Sequence, residues 1–154
     1  MQYALRELSA WVEQDVVPPP TSEYRVQDGQ VRVPASALER KGIQPVVDLK
    51  VNGGERAEVA VGEAVTFTAQ IEVPPAQGKV VSAKWDFEGV GRYPDAAELD
   101  GPTSETVHVT TTHAFSKPGT YFPTLRVASQ REGNPSTPFA RSLNLSRVRV
   151  VVNE

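Results

Sequence analysis

The clearest regularity along the chain is a strict alternation of apolar and polar positions. Val65, Phe67, Ala69, Ile71 and Val73 alternate with Thr66, Thr68, Gln70 and Glu72, which predicts a strand with one buried face. Val81, Ala83, Trp85 and Phe87 repeat the pattern against Ser82, Lys84 and Asp86. Tyr121, Leu125 and Val127 do so against Thr124 and Arg126. Val47, Leu49 and Val51 predict an earlier strand, and Val107, Val109 and Phe115 line another that leads into a turn at Lys117-Pro118-Gly119. The last apolar set breaks step: Leu143 and Leu145 share one parity, while Val148, Val150 and Val152 share the other. A β-bulge near Ser146-Arg147 is expected to turn both sets inward. Six or seven such strands between regular turns predict an all-β sandwich over residues 46–154, rather than a βαβ fold.

The first 45 residues change period. Ala4, Leu5, Leu8, Trp11 and Val12 recur at helical spacing, with Arg6, Glu7, Glu13 and Gln14 on the other side. This predicts a helix within residues 1–17, stopped by Pro18-Pro19-Pro20. So short a helix is marginal alone in water, and its stripe needs a partner surface. Residues 18–45 read as a linker. Within it, Tyr24, Val26, Val31 and Val33 flank a hairpin turn at Asp28-Gly29, and a turn of helix over 34–42 ends in a glycine cap at Gly42.

Composition narrows the function classes. The 154 residues contain no cysteine, which removes disulfides, thiolate nucleophiles and cysteine-based zinc sites. A net charge of −3 provides no basic footprint for nucleic acid. No apolar run approaches the ~18 residues of a membrane span. The N-terminus lacks a basic stretch followed by an apolar one, so no export signal is expected in this chain.

Catalytic machinery is equally absent from the sequence. There is no Gly-x-Ser-x-Gly elbow and no His-Glu-x-x-His pair. His108 and His113 are five residues apart in one extended segment, so they face opposite sides and form no shared site. No catalytic residue is assigned. The one acidic constellation is Glu88, Asp95, Glu98, Asp100 and Glu105, in a loop between two strands. Calcium takes about six to eight oxygens, so Asp86, Glu88, Asp95 and Asp100 are the candidate metal ligands, with Asp86 the first to test. A solvated loop is the plainer reading, and no other cofactor is called for. Trp85 is a core residue. Phe122 alternates outward beside Arg126, and Tyr93 lies in the acidic loop; these three are the candidate contacts for a sugar or protein. The preferred cover for Phe122 is the helix stripe or the proline-rich loop 129–138.

Three blocks carry a resemblance: Gly62-Glu63-Ala64-Val65-Thr66-Phe67-Thr68-Ala69, Trp85-Asp86-Phe87-Glu88-Gly89, and His113-Ala114-Phe115-Ser116-Lys117-Pro118-Gly119-Thr120-Tyr121. In order and spacing they resemble the PKD domain, an immunoglobulin-like β-sandwich found in secreted and cell-surface proteins. The resemblance covers about 46–152. It implies a non-catalytic accessory module for spacing or for protein or glycan contact, extracellular or periplasmic, with structural hydrogen bonds at the His113 ring. Some such modules bind calcium. Members usually read Trp-x-Phe-Gly-Asp-Gly at the second block, whereas no acid stands at position 90 here, which weighs against a metal in that turn. The stretch from Ala4 to Glu13, followed by Val17-Pro18-Pro19, is similar to the last helix of α/β-hydrolase and tannase-like enzymes. That implies a catalytic domain upstream and this chain as the C-terminal part of a larger exported protein. Folding back, swapping and pairing between copies all stay open for the helix.

Overall fold

The computed structural model describes residues 2–99 and 104–154. In chain order the elements are α1 (Gln2–Gln14), β1 (Arg25–Gln27), β2 (Gln30–Arg32), α2 (Ala37–Arg40), β3 (Val46–Val51), β4 (Arg56–Ala60) and β5 (Ala64–Glu72). There follow β6 (Lys79–Asp86), β7 (Asp95–Ala96), β8 (Thr106–Ala114), β9 (Gly119–Tyr121), β10 (Thr124–Gln130), β11 (Arg141–Arg147) and β12 (Arg149–Asn153). The strands after residue 45 form an immunoglobulin-like sandwich. One sheet runs β3-β5-β8; facing it are β11-β10-β6-β7 and β4-β12-β9.

The core is the inward parity of these strands. Val65, Phe67, Ala69 and Ile71 of β5 meet Trp85 of β6, Leu125 and Val127 of β10, and Val150 and Val152 of β12, all buried. From Trp85 the aromatic packing continues to the domain edge. Phe87 stacks on Trp85 with centroids 5.3 Å apart, His113 stacks on Phe87 at 4.2 Å, and Phe115 meets His113 edge-on at 4.8 Å.

Two strands depart from simple alternation. In β6, Ala128 pairs with Ser82 but the next residue, Ser129, pairs with Val80, so Val81 is the extra residue of a bulge. Val80 therefore takes the core position that alternation assigns to Val81. The end of the chain corrects the expected bulge near Ser146-Arg147. Tyr121 pairs with Val150 and Thr124 with Arg147, three residues on in both strands, so the register never slips. The inward parity is Ser142, Asn144, Ser146, then Val148, Val150 and Val152. Leu143 and Leu145 face solvent, 56% and 53% exposed. The polar inward residues have a local partner: the Asn144 amide donates to the Pro45 carbonyl at 2.7 Å, and the Gln44 amide reaches the Leu143 carbonyl at 3.4 Å. These side chains occupy the free edge of β11, where an unpaired strand would otherwise recruit another.

The N-terminal elements form where their patterns predict but lie differently, and α2 is shorter than expected, with Lys41 at φ 57 rather than Gly42 as its C-cap. α1 closes before the prolines, at Asp15 with φ 58, as the Val16 N–H turns back to the Ala10 carbonyl at 3.2 Å. Its attachment to the sandwich is polar: Glu7 pairs with Arg131, and Arg6 with Glu132 at 3.4 Å. Glu7 and Ala10 are partly covered, whereas Leu5, Leu8, Trp11 and Val12 are exposed. The stripe thus points away from the domain, and neither it nor the 129–138 loop closes over Phe122, which is 44% exposed. α2 is anchored more firmly. Ser36 caps it by accepting from the Glu39 N–H, Ala37 is buried, and the Ala37 N–H donates to Glu72 at the end of β5.

Candidate functional site

The outer face of β6, β10 and β11 gathers the residues with recognition chemistry. Strand pairing puts Leu145, Arg126 and Lys84 in one row, Arg147, Thr124 and Asp86 in the row below, and Leu143 beside Ala128 above. Cross-strand neighbours on one face stand close enough to act on a ligand together. The Arg126 guanidinium lies over the Tyr93 ring, 4.2 Å from its centroid, and the Arg147 guanidinium is 5.7 Å from the Phe122 ring. Each pair holds a long cationic side chain against a flat apolar surface, within the range of cation–π attraction. Tyr93, Phe122 and Arg126 are therefore all found with this sheet face: Tyr93 directly on Arg126, and Phe122 one row lower through Arg147.

A tight turn supports the lower end of this face. Asp86 is buried although alternation sends it outward, because its carboxylate turns back over the chain. One oxygen accepts from the Gly89 N–H at 2.9 Å and the other from the Gly91 N–H at 2.6 Å. Gly89 has φ +71, and a Cβ there would lie 2.8 Å from the Phe122 carbonyl oxygen. Only glycine fits both the left-handed backbone and that close approach. Glu88 is exposed in the turn and Asp95 is exposed in β7. Asp100 lies outside the described residues. Among the described residues no three acidic or histidine groups gather in a way that could hold a metal ion. Chemically, the Asp86 carboxylate acts as the clasp of its own turn.

His113 is held by ring stacking, and no hydrogen bond to its ring is found among the described residues, in place of those the resemblance implied. Burial lowers its pKa from 6.5, and the negative charges of Glu88 and Asp95 oppose that shift without cancelling it. His108 is exposed on the other side of β8. Among the described residues no helix is long and apolar enough to cross a membrane.

With this geometry in hand, the comparison with known families is decisive. The family model for the PKD domain matches residues 48–138, more than half of the chain. The chain belongs to the PKD domain family. No curated protein matches the sequence. Among solved structures it is similar to the PKD domain of an M14-like peptidase from Thermoplasmatales archaeon SCGC AB-540-F20, with 17% identity and a TM-score of 0.47, over 72% of this chain and 94% of that one. It is also similar to the Pseudomonas fluorescens alkylpurine DNA glycosylase AlkC bound to DNA containing an abasic site analog, with 16% identity and a TM-score of 0.37, over 71% of this chain and 31% of that one. PKD domains are typically accessory modules of extracellular enzymes and generally non-catalytic.

In this PKD domain, sequence reading missed Arg147, Leu143 and Leu145 as members of the face. The signal was available in β11 itself: Arg141, Leu143, Leu145 and Arg147 share one parity, while Ser142, Asn144 and Ser146 share the other. Reading the leucines as core obscured it.

Proposed function

We propose that this PKD domain is a non-catalytic accessory module of a larger exported, hydrolase-like protein, and that it contacts a protein or glycan partner through the outer side of β10 and β11 and the residues laid over it. The observation that carries the reading is the set of aromatic–arginine pairs, the half-buried Tyr93 with Arg126 and the exposed Phe122 with Arg147, flanked by outward Leu145. Flat rings backed by cations suit the apolar faces and hydroxyls of sugars, and equally the aromatic-rich anchors of protein interfaces. The strands behind them are laddered to one another over a buried core, which holds Arg126 and Arg147 in fixed register. The similarity of the first helix to the last helix of α/β-hydrolases supports a catalytic domain upstream.

The test is depletion of the chain from solution by a panel of insoluble glycans and immobilised fibrous proteins. Tyr93→Ala with Phe122→Ala is expected to reduce the bound fraction at least tenfold on the material that binds. Binding unchanged by the pair would remove this face from the proposal. Turnover of generic ester substrates by this chain above background would overturn the non-catalytic reading.

A further inference from the structure

The β1–β2 hairpin stands apart from that face. Its two-residue turn is built by Asp28 at φ 52 and Gly29 at φ 71, the left-handed pair that matches the twist of antiparallel strands. Arg25 pairs with Arg32, Val26 with Val31, and Gln27 with Gln30. Paired residues share a face, so one side carries two arginines and two glutamines. The other carries Val26 and Val31, with Tyr24 and Val33 continuing the same parity. Both strands are exposed throughout, and Val26 and Val31 are 66% and 65% exposed.

Three features of this hairpin call for a partner. It is a two-stranded sheet, and among the described residues no third strand joins either edge. A lone hairpin of this length is marginal in water. Its arginines stand directly opposite each other, an arrangement that destabilises a strand pair unless an anion lies between them. The neighbouring acid Glu23 pairs with Lys41 at 2.8 Å, and the charge of Arg25 also acts on its carboxyl. Arg25, Arg32 and Lys41 line a groove together with the two acids Glu23 and Glu39, so cations outnumber anions there by one. The base of the hairpin is nonetheless fixed. The Glu23 N–H donates to the Arg40 carbonyl at 2.7 Å, and Arg40 Nε donates to the Pro34 carbonyl at 2.8 Å.

We propose that the β1–β2 hairpin is a docking site for an extended peptide segment in which acidic and apolar side chains alternate. The segment adds to an open edge as a third strand, so its backbone N–H and C=O groups complete the ladder. The period of two then sends its carboxylates to the Arg25–Arg32 side and its apolar residues to the Val26–Val31 side. Charge complementarity selects this partner: the whole chain carries net −3, yet this small sheet presents two opposed guanidiniums.

The test is fluorescence anisotropy of the full chain with a labelled peptide of alternating valine and glutamate, its lysine counterpart, and its backbone N-methylated form. Amide shifts of residues 24–33 locate the contact. The acidic peptide is expected to bind, and to bind at least tenfold more weakly when N-methylated. Arg25→Glu with Arg32→Glu is expected to lose the acidic peptide at least tenfold and to gain the lysine one. The milder pair Arg25→Gln and Arg32→Gln serves if the reversal disturbs the hairpin, and unchanged Trp85 resonances show that the sandwich is intact. Equal binding of the lysine peptide by the unaltered chain would overturn the proposal, as would acidic-peptide binding that survives the arginine changes. A soluble polygalacturonate that binds this site more tightly than the peptide would also overturn it.

Discussion

The sandwich and the N-terminal segment contain the same kinds of side chain and dispose of them in opposite ways. In β5 the apolar parity of Val65, Phe67, Ala69 and Ile71 is turned to the core, where these side chains are almost wholly buried. In α1 and the β1–β2 hairpin the apolar parity is just as regular, yet Leu5, Leu8, Trp11, Val26 and Val31 face water. What separates the regions is the attachment. Strand ladders on both sides fix β5 so that its apolar face closes the core. α1 is attached by the ion pairs of Arg6 and Glu7, which sit on the opposite side from the stripe and so turn it outward. An amphipathic pattern specifies an element; which surface covers it depends on where the polar side is bound.

The strongest test of that contrast is removal of one side chain from each region. Phe67→Ala is expected to cost about 3–5 kcal/mol in chemical denaturation, because its ring packs against both Trp85 and Phe87. Val26→Ser is expected to stay within ~0.5 kcal/mol, as exposed positions do. A comparable loss from both would mean that the hairpin is covered in solution. Next in size are changes at the Asp86 turn. Asp86→Ala leaves two N–H groups without their acceptor and is expected to lower stability by about 1–3 kcal/mol, read as a drop in denaturation midpoint at constant slope. Calcium is expected to leave the midpoint of the unaltered chain in place, and a saturable increase would reassign Asp86 as a ligand.

A third expectation concerns pH. Burial among rings depresses the His113 pKa, so between the folded and unfolded values the unfolded chain binds more protons, and stability rises with pH. The His113 contribution is fully present above about 6.5 and is lost as pH falls through the lowered folded-state value. His113→Phe should flatten that part of a stability–pH profile, and an unchanged slope would place its origin elsewhere. The smallest effect is expected from Leu8→Ser with Trp11→Ser. With the stripe turned away from the sandwich, the pair should move the melting temperature little, corresponding to ~0.5 kcal/mol or less. A large drop would show that the helix folds back onto the domain.

Much of this molecule was legible in the residues. Alternation placed β5, β8 and the inward side of β9–β10, and Asp28-Gly29 placed the hairpin. Three points were hidden because strand pairing and turn contacts, which parity does not encode, decide them. Parity states which side chains share a face of a strand, and leaves open which face meets the core. Leu143 and Leu145 read as core because leucine usually is, whereas an unbroken register with β10 turns them out. Val81 is buried as read, but the place in the central row falls to Val80, because the bulge is a property of the pairing with β10. Asp86 read as solvent-facing because its partners are backbone N–H groups of the following turn. The candidate face was visible only in part for the same reason: Tyr93, Phe122 and Arg126 could be named singly, but register brings Arg147 and Leu145 beside them.

One pairing described above has a mechanical meaning. β12, the final strand, runs parallel to β4, with Arg149 opposite Arg56 and Asn153 opposite Ala60. In a parallel pair, tension applied through the chain leading into the first strand and the chain leaving the second acts in opposite directions along the same ladder. The rungs are then sheared together instead of being peeled one at a time. A pull applied between Glu55 and Asn153 would be held until the whole clamp gives way at once, and a single-molecule trace with handles at those positions should show one abrupt rupture.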